Sequence, residues 1–214
     1  MPILKLSKLT RARIAIFFAM LLSGLACAQT APPTNYQLLN SIASCTTVAC
    51  VSGKQNDMDS KVEKAVLYVT WLTLDPSSQT ASLGLLENIP ATKDELAAFM
   101  ILRDLPASAT SSGDERKRLE AIYQKWPRLL SVAVRKLPGF LPTYIRFGRL
   151  AVNDMLSEYT SFETSVCQAD QKTFLTAFNS LGSDEQQVIR KHAFNPDTCE
   201  PMIPGNREGA KSAR

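Results

Sequence analysis

Apolar residues along this chain recur at three- and four-residue intervals far more often than they alternate. Leu119, Ile122, Trp126, Leu129 and Ala133 follow that spacing. So do Ile145, Gly148, Val152, Met155, Tyr159, Phe162 and Val166, whose unbroken stripe predicts one long helix. Phe174, Phe178 and Leu181 carry the pattern on, followed by Val188, Ile189 and Ala193. The run Val66–Leu74 is rich in strand formers, but its alternation is poor and no second convincing strand is present to pair with it. It is expected to be a buried helix.

Polar punctuation supports the same reading. Thr34-x-x-Gln37, Ser60-x-x-Glu63, Thr92-x-x-Glu95, Ser112-x-x-Glu115 and Ser183-x-x-Gln186 match the capping box. There a hydroxyl takes an orphan backbone N–H at a helix start, and the acid or amide three places on reaches back. Pro76, Pro90 and Pro106 lie just past apolar runs, where the chain must leave helix. Pro127 is expected to kink its helix or to open a new one at the first position. Together these signals predict an all-α, single-domain helical bundle of roughly six to eight helices.

The first 28 residues have a different pattern. Lys5, Lys8, Arg11 and Arg13 precede a short apolar core, Ile14–Leu25, and Ala26-Cys27-Ala28 follows. A basic start, a core near a dozen residues and a small-x-small exit read as a secretory signal peptide cleaved between Ala28 and Gln29, not as a membrane span. The lesser alternative is lipid anchoring at Cys27; the leucine that such a site wants three places earlier stands at Leu25, one place too late. The expected organisation is a signal peptide at 1–28, a globular domain at 29–200 and a disordered tail at 201–214. The expected location is the periplasm or the extracellular space, because a long basic start with an Ala-x-Ala exit suits bacterial export.

Cleavage would change the charge. The chain holds 24 Lys and Arg against 20 Asp and Glu. Four of the basic residues and none of the acids lie in the leader, so the remainder is balanced at twenty against twenty. A nucleic-acid partner loses its main electrostatic support.

With Cys27 gone, Cys45, Cys50, Cys167 and Cys199 remain. An even count in an exported chain points to two disulfides, and of three connectivities the local pairing Cys45–Cys50 and Cys167–Cys199 is expected. A metal site is disfavoured by the single histidine and the absence of a CxxC pair. No catalytic or cofactor motif stands out, and no cofactor is expected. His192, near the end of the last helical run, reads as structural. Asp154 and Glu158 share a face if the helix is continuous, which alone indicates no glycosidase chemistry. The run Asp114–Glu120 reads as a solvated face with acids favoured by the helix dipole.

The best candidate binding surface is the segment 135–149, where Arg135, Lys136, Arg146 and Arg149 interleave with Phe140, Tyr144 and Phe147 and no acid intervenes. Pro138-Gly139 and Pro142 make it a corner between helices. Such a corner can grip an anionic partner or a membrane surface, while ordinary packing of its aromatics is the competing reading. Gly148 and Ala151 read as small residues that let a neighbouring helix approach. The expected function is a disulfide-stabilised binding protein for a protein or envelope component, such as an inhibitor or accessory factor. Alternatives are a cell-envelope hydrolase with carboxylate catalysts, and an interfacial membrane-associated protein.

Overall fold

A computed structural model describes residues 35–106, 112–154, 157–192 and 194–201, with the side chains of 152–162, 192 and 201 left out of the description. The leader, its cleavage site, Cys27 and residues 202–214 of the tail lie outside the described residues. Among the described residues ten α-helices appear: α1 (Tyr36–Ala43), α2 (Val48–Ser52), α3 (Lys61–Leu74), α4 (Gln79–Glu87), α5 (Lys93–Met100), α6 (Gly113–Lys136), α7 (Leu141–Asp154), α8 (Ser157–Ala169), α9 (Gln171–Asn179) and α10 (Ser183–His192). The count exceeds six to eight, partly because short pieces such as α2 carry too few residues to show a period. Two strands, β1 (Phe194–Asn195) and β2 (Glu200–Pro201), close a small antiparallel hairpin that the all-α expectation lacked. No helix among the described residues is long and apolar enough to cross a membrane.

Helix starts follow local hydrogen-bond chemistry. Ser60 forms a complete capping box, its hydroxyl accepting from Glu63 N while Glu63 Oε2 accepts from Ser60 N. Thr92 and Ser112 cap α5 and α6 as expected. Two expectations are corrected. At α1 the cap is Asn35, whose side chain accepts from Leu38 N, one residue beyond Thr34. At α10 Ser183 is already the first helical residue. There Glu185 Oε2 accepts from Gly182 N, and the Gln186 amide donates to Leu181 O. Thr47, Ser78 and Asp170 cap α2, α4 and α9 without the companion acid or amide that the pattern asks for.

Val66–Leu74 is helical, as expected. It lies in α3, which is buried nearly all round, so apolar residues need not keep to one stripe. Its β-branched Thr70 and Thr73 return their hydroxyl protons to Val66 O and Val69 O, both at 2.8 Å. Helix α6 spans 24 residues and contains Pro127 as part of one element; no new helix opens there.

The expected long helix across 145–166 is instead two helices. Gly148 of α7 meets the carboxyl group of Glu163 of α8. In a continuous helix those residues would stand about 22 Å apart. Helix α8 therefore folds back on α7, and each covers the other's apolar face. Asp154 and Glu158 consequently belong to different helices.

Helix α6 links the two ends of the bundle, touching α1, α3 and α4 from the first half and α8 from the second. An aromatic stack crosses the same region. Phe99 of α5 lies 3.8 Å, centroid to centroid, from Trp126 of α6, which meets Phe147 of α7 edge-on at 5.2 Å. All three rings are buried, and such packing contributes beyond its area alone.

Disulfides join Cys45 to Cys50 and Cys167 to Cys199. The first fastens the end of α1 to α2. The second ties α8 to the C-terminal hairpin, where Cys199 adopts a positive φ of 54°. Arg190 and Asp197 pair across the approach to that hairpin, and the Arg190 guanidinium sits 4.8 Å above the Phe178 ring.

Candidate functional site

The corner 135–149 forms between α6 and α7 through a 3-10 turn, Pro138–Phe140. Its aromatic half turns inward. Tyr144 and Phe147 are 0% and 1% exposed, and Phe140 is half-buried against the core. The apolar stripe of α7 needs these rings to cover α6 and α5, so they are removed from the expected surface. The basic half stays exposed, and three of its four cations are engaged. Arg146 makes a forked pair with Glu185 of α10 at 2.8 and 3.1 Å, and Glu185 sits below the usual carboxylate range through that hydrogen bond. Arg149 adds its field at Glu185. Arg135 donates to Ser131 O of its own helix, and Lys136 donates to Pro76 O at 2.7 Å. The seven residues do not converge on one patch.

A different concavity lies where the end of α3, the start of α4 and the middle of α6 meet. It encloses about 290 Å³. Leu72, Pro76, Leu129, Val132 and Ala133 make its walls apolar, with buried Ser82 at its base and exposed Thr73, Lys125 and Arg128 at the rim. Helix geometry accounts for the arrangement. Lys125, Arg128, Leu129 and Val132 recur at three and four along α6, so they share a strip of its surface. Helix α4 contributes Ser82 to the groove and packs closely on α3 through small buried residues, Ala81, Ser82 and Gly84. The Tyr68 ring of α3 lies directly on Gly84, where a Cβ would stand only 2.2 Å from its Cζ atom.

The hydroxyl protons of Thr73 and Ser82 are already committed. Thr73 gives its hydroxyl proton to Val69 O, and Ser82 gives its own to Ser78 O. At the edge, Asp75 accepts from the Ser77 hydroxyl and N–H, and these bonds hold its pKa low, with Lys136 adding a smaller effect. Among the described residues, Lys125 and Arg128 have no side-chain hydrogen bond or ion pair, whereas Lys61, Arg103, Arg116, Arg146 and Arg190 are all paired with acids. A second concavity of about 400 Å³ along α5 has Lys93, Asp94 and Arg103 among its lining residues, and Arg103 is taken by Asp104.

One further group stands out chemically. Glu163 of α8 is 0% exposed, and neither carboxyl oxygen has a hydrogen-bond partner among the described residues. Burial pushes its pKa up to about 8, so it carries its proton at neutral pH. Glu63 is nearly as buried, yet its carboxylate accepts from Asp59 N and Ser60 N at 3.0 Å each. The two glutamates look alike in sequence; only the backbone amides within reach separate them.

Sequence reasoning missed both the groove and Glu163. Lys125 and Arg128 flank Trp126-Pro127 without drawing notice, since their value depends on α3 and α4 arriving opposite them. Among the described residues no three His, Cys, Asp or Glu side chains gather as a metal site. The His192 side chain lies outside the described residues. Comparison with family models, with curated proteins and with solved structures finds no match to this chain.

Proposed function

We propose that this protein is an exported, disulfide-stapled helical binding protein that takes its partner in the groove between α3, α4 and α6. The observation that carries this reading is the groove itself: an apolar concavity with two uncommitted cations at its mouth on a rigid helical frame. The two disulfides support an oxidising, extracytoplasmic location, and the basic leader with its small-residue exit supports export with cleavage near Ala28. Helix α6 gives the groove its stiffness, since it is packed against four other helices and cannot shift alone. An inhibitor or an envelope accessory factor fits this description. The basic corner 135–149 is a weaker second surface, because Arg135, Lys136 and Arg146 already have partners and Tyr144 and Phe147 are buried.

The test is native mass spectrometry of the protein, passed over an envelope extract and compared with a Val132→Trp variant whose indole fills the groove. A discrete added mass on the wild type and none on the variant is the expected result. Equal behaviour of the two proteins, whether both bare or both loaded, overturns the assignment of binding to this groove.

A further inference from the structure

We infer that the groove accepts a single-chain anionic amphiphile, with its aliphatic body against Leu72, Leu129 and Val132 and its carboxylate between Lys125 and Arg128. This rests on the binding reading above and adds the chemical class of the ligand.

Three observations point to that class. First, the volume of about 290 Å³ lies at the lower end for small-molecule pockets. An α-helix with its side chains is about 10 Å across, too bulky for such a space. One aliphatic chain fits. Second, the donors are all on one side. The hydroxyls of Thr73 and Ser82 have spent their protons on Val69 O and Ser78 O. The groove thus offers a ligand mostly apolar surface, with cationic donors at Lys125 and Arg128, which favours an anionic head there. Third, Lys125 and Arg128 are one turn apart on α6, which places their side chains side by side over the mouth. No acid pairs with either among the described residues; the Asp75 carboxylate at the edge stays ionised, bonded to Ser77 and within the field of Lys136. The rim thus carries a net positive charge. Its planar guanidinium suits a two-oxygen head, and the ammonium beside it supplies a second donor set.

The geometry also sets the orientation. Val132 lies one helical turn beyond Arg128, so the chain enters under the guanidinium and runs along α6 toward Ala133.

The experiment uses the purified protein and sodium decanoate below its micelle threshold, read by isothermal titration and by methyl NMR. Decanoate is expected to shift the methyl signals of Leu72, Leu129 and Val132 in the unaltered protein. Its affinity is expected to fall at least about tenfold in a Lys125→Gln, Arg128→Gln double variant and to weaken with added salt. Decanol and decyltrimethylammonium, with the same chain and a neutral or opposite head, are expected to bind far more weakly. Decanol binding as tightly as decanoate, unchanged affinity in the double variant, or no methyl shifts in the unaltered protein would each overturn the proposal. Failure here, alongside a groove-dependent mass in the extract experiment, would remove the amphiphile and leave the binding reading standing; failure of both removes the two together.

Discussion

Replacing Glu163 by Gln removes one ionisable group from a site that offers its charge nothing. The carboxyl group is fully buried, lacks any hydrogen-bond partner among the described residues and lies against Gly148. In the unfolded chain this group loses its proton near its ordinary value of 4.5, but in the folded protein it keeps the proton to about pH 8. Between those values the folded state binds one proton more than the unfolded state. Stability therefore falls as pH rises, by about 1.4 kcal/mol per unit. The penalty is absent below about pH 4.5, amounts to about 3 kcal/mol at pH 7 and is complete at about 5 kcal/mol above pH 8. For a domain of this size each kcal/mol shifts Tm by about 3 °C, so the effect at pH 7 is about 10 °C. Glutamine has nearly the same shape and stays neutral throughout, and its unpartnered amide costs about what the neutral acid costs. The two proteins are expected to melt together near pH 4.5 and to separate steadily above it, with Glu163→Gln the more stable. Glu95, Asp104 and Glu185 act in the opposite sense. Burial works to raise Glu95, but its bonds to Lys61 and Ala91 outweigh that; Asp104 and Glu185 are lowered by their arginine partners. Their contribution is lost as pH falls through their lowered values. Both proteins share these groups, so they cancel in the difference. Thermal melts followed by circular dichroism across this range, with disulfides intact, decide the matter. Parallel curves for the two proteins would refute the reasoning, since Glu163 would then not keep its proton through this range.

The same contact makes Gly148→Leu costly. A Cβ at that position already stands 2.6 Å from both Glu163 oxygens, so the larger side chain must part α7 from α8. A loss of about 1 to 3 kcal/mol and several degrees of Tm is expected, and an unchanged melting temperature would sink the packing account. The disulfides differ in the chain they enclose, with sequence separations of 5 and 32. Loop entropy assigns about 2 kcal/mol to Cys45–Cys50 and nearly 4 kcal/mol to Cys167–Cys199. Urea unfolding of the two double Cys→Ala variants is expected to rank them in that order, and the reverse order would show that loop entropy does not govern their contributions.

Features of the fold were legible in sequence where a local rule decides the outcome. Ser60, Thr92 and Ser112 start helices because a hydroxyl and an orphan N–H three residues on suffice. The pairing of the four cysteines follows from which segments are neighbours along the chain. The break between α7 and α8 was not legible, because apolar spacing runs through 145–166 without a glycine turn or proline to interrupt it. Only the energy of laying α8 onto α7 selects the reversal, and that contact joins residues fifteen positions apart. The aromatics of the candidate surface are buried for a related reason. Tyr144 and Phe147 alternate with arginines in sequence, but a helix sends residues at such offsets to opposite sides, and here the rings go inward. The groove residues on α6 acquire meaning only when Leu72 and Ser82 come from two other helices. Glu163 looks like an ordinary surface acid until its surroundings are known.

The link from Cys167 to Cys199 encloses both α9 and α10. Exposed residues Ser180 and Gly182 form the bend between those helices, a suitable site for protease attack. A single cut there would free no fragment. The piece carrying α10 and the hairpin would stay tethered through sulfur, at an effective concentration in the millimolar range relative to the rest of the bundle. It would redock against α7, with the Arg146–Glu185 pair re-forming. A nicked chain would thus remain one molecule for as long as its surroundings stay oxidising, and a reductant would turn the same nick into a true scission.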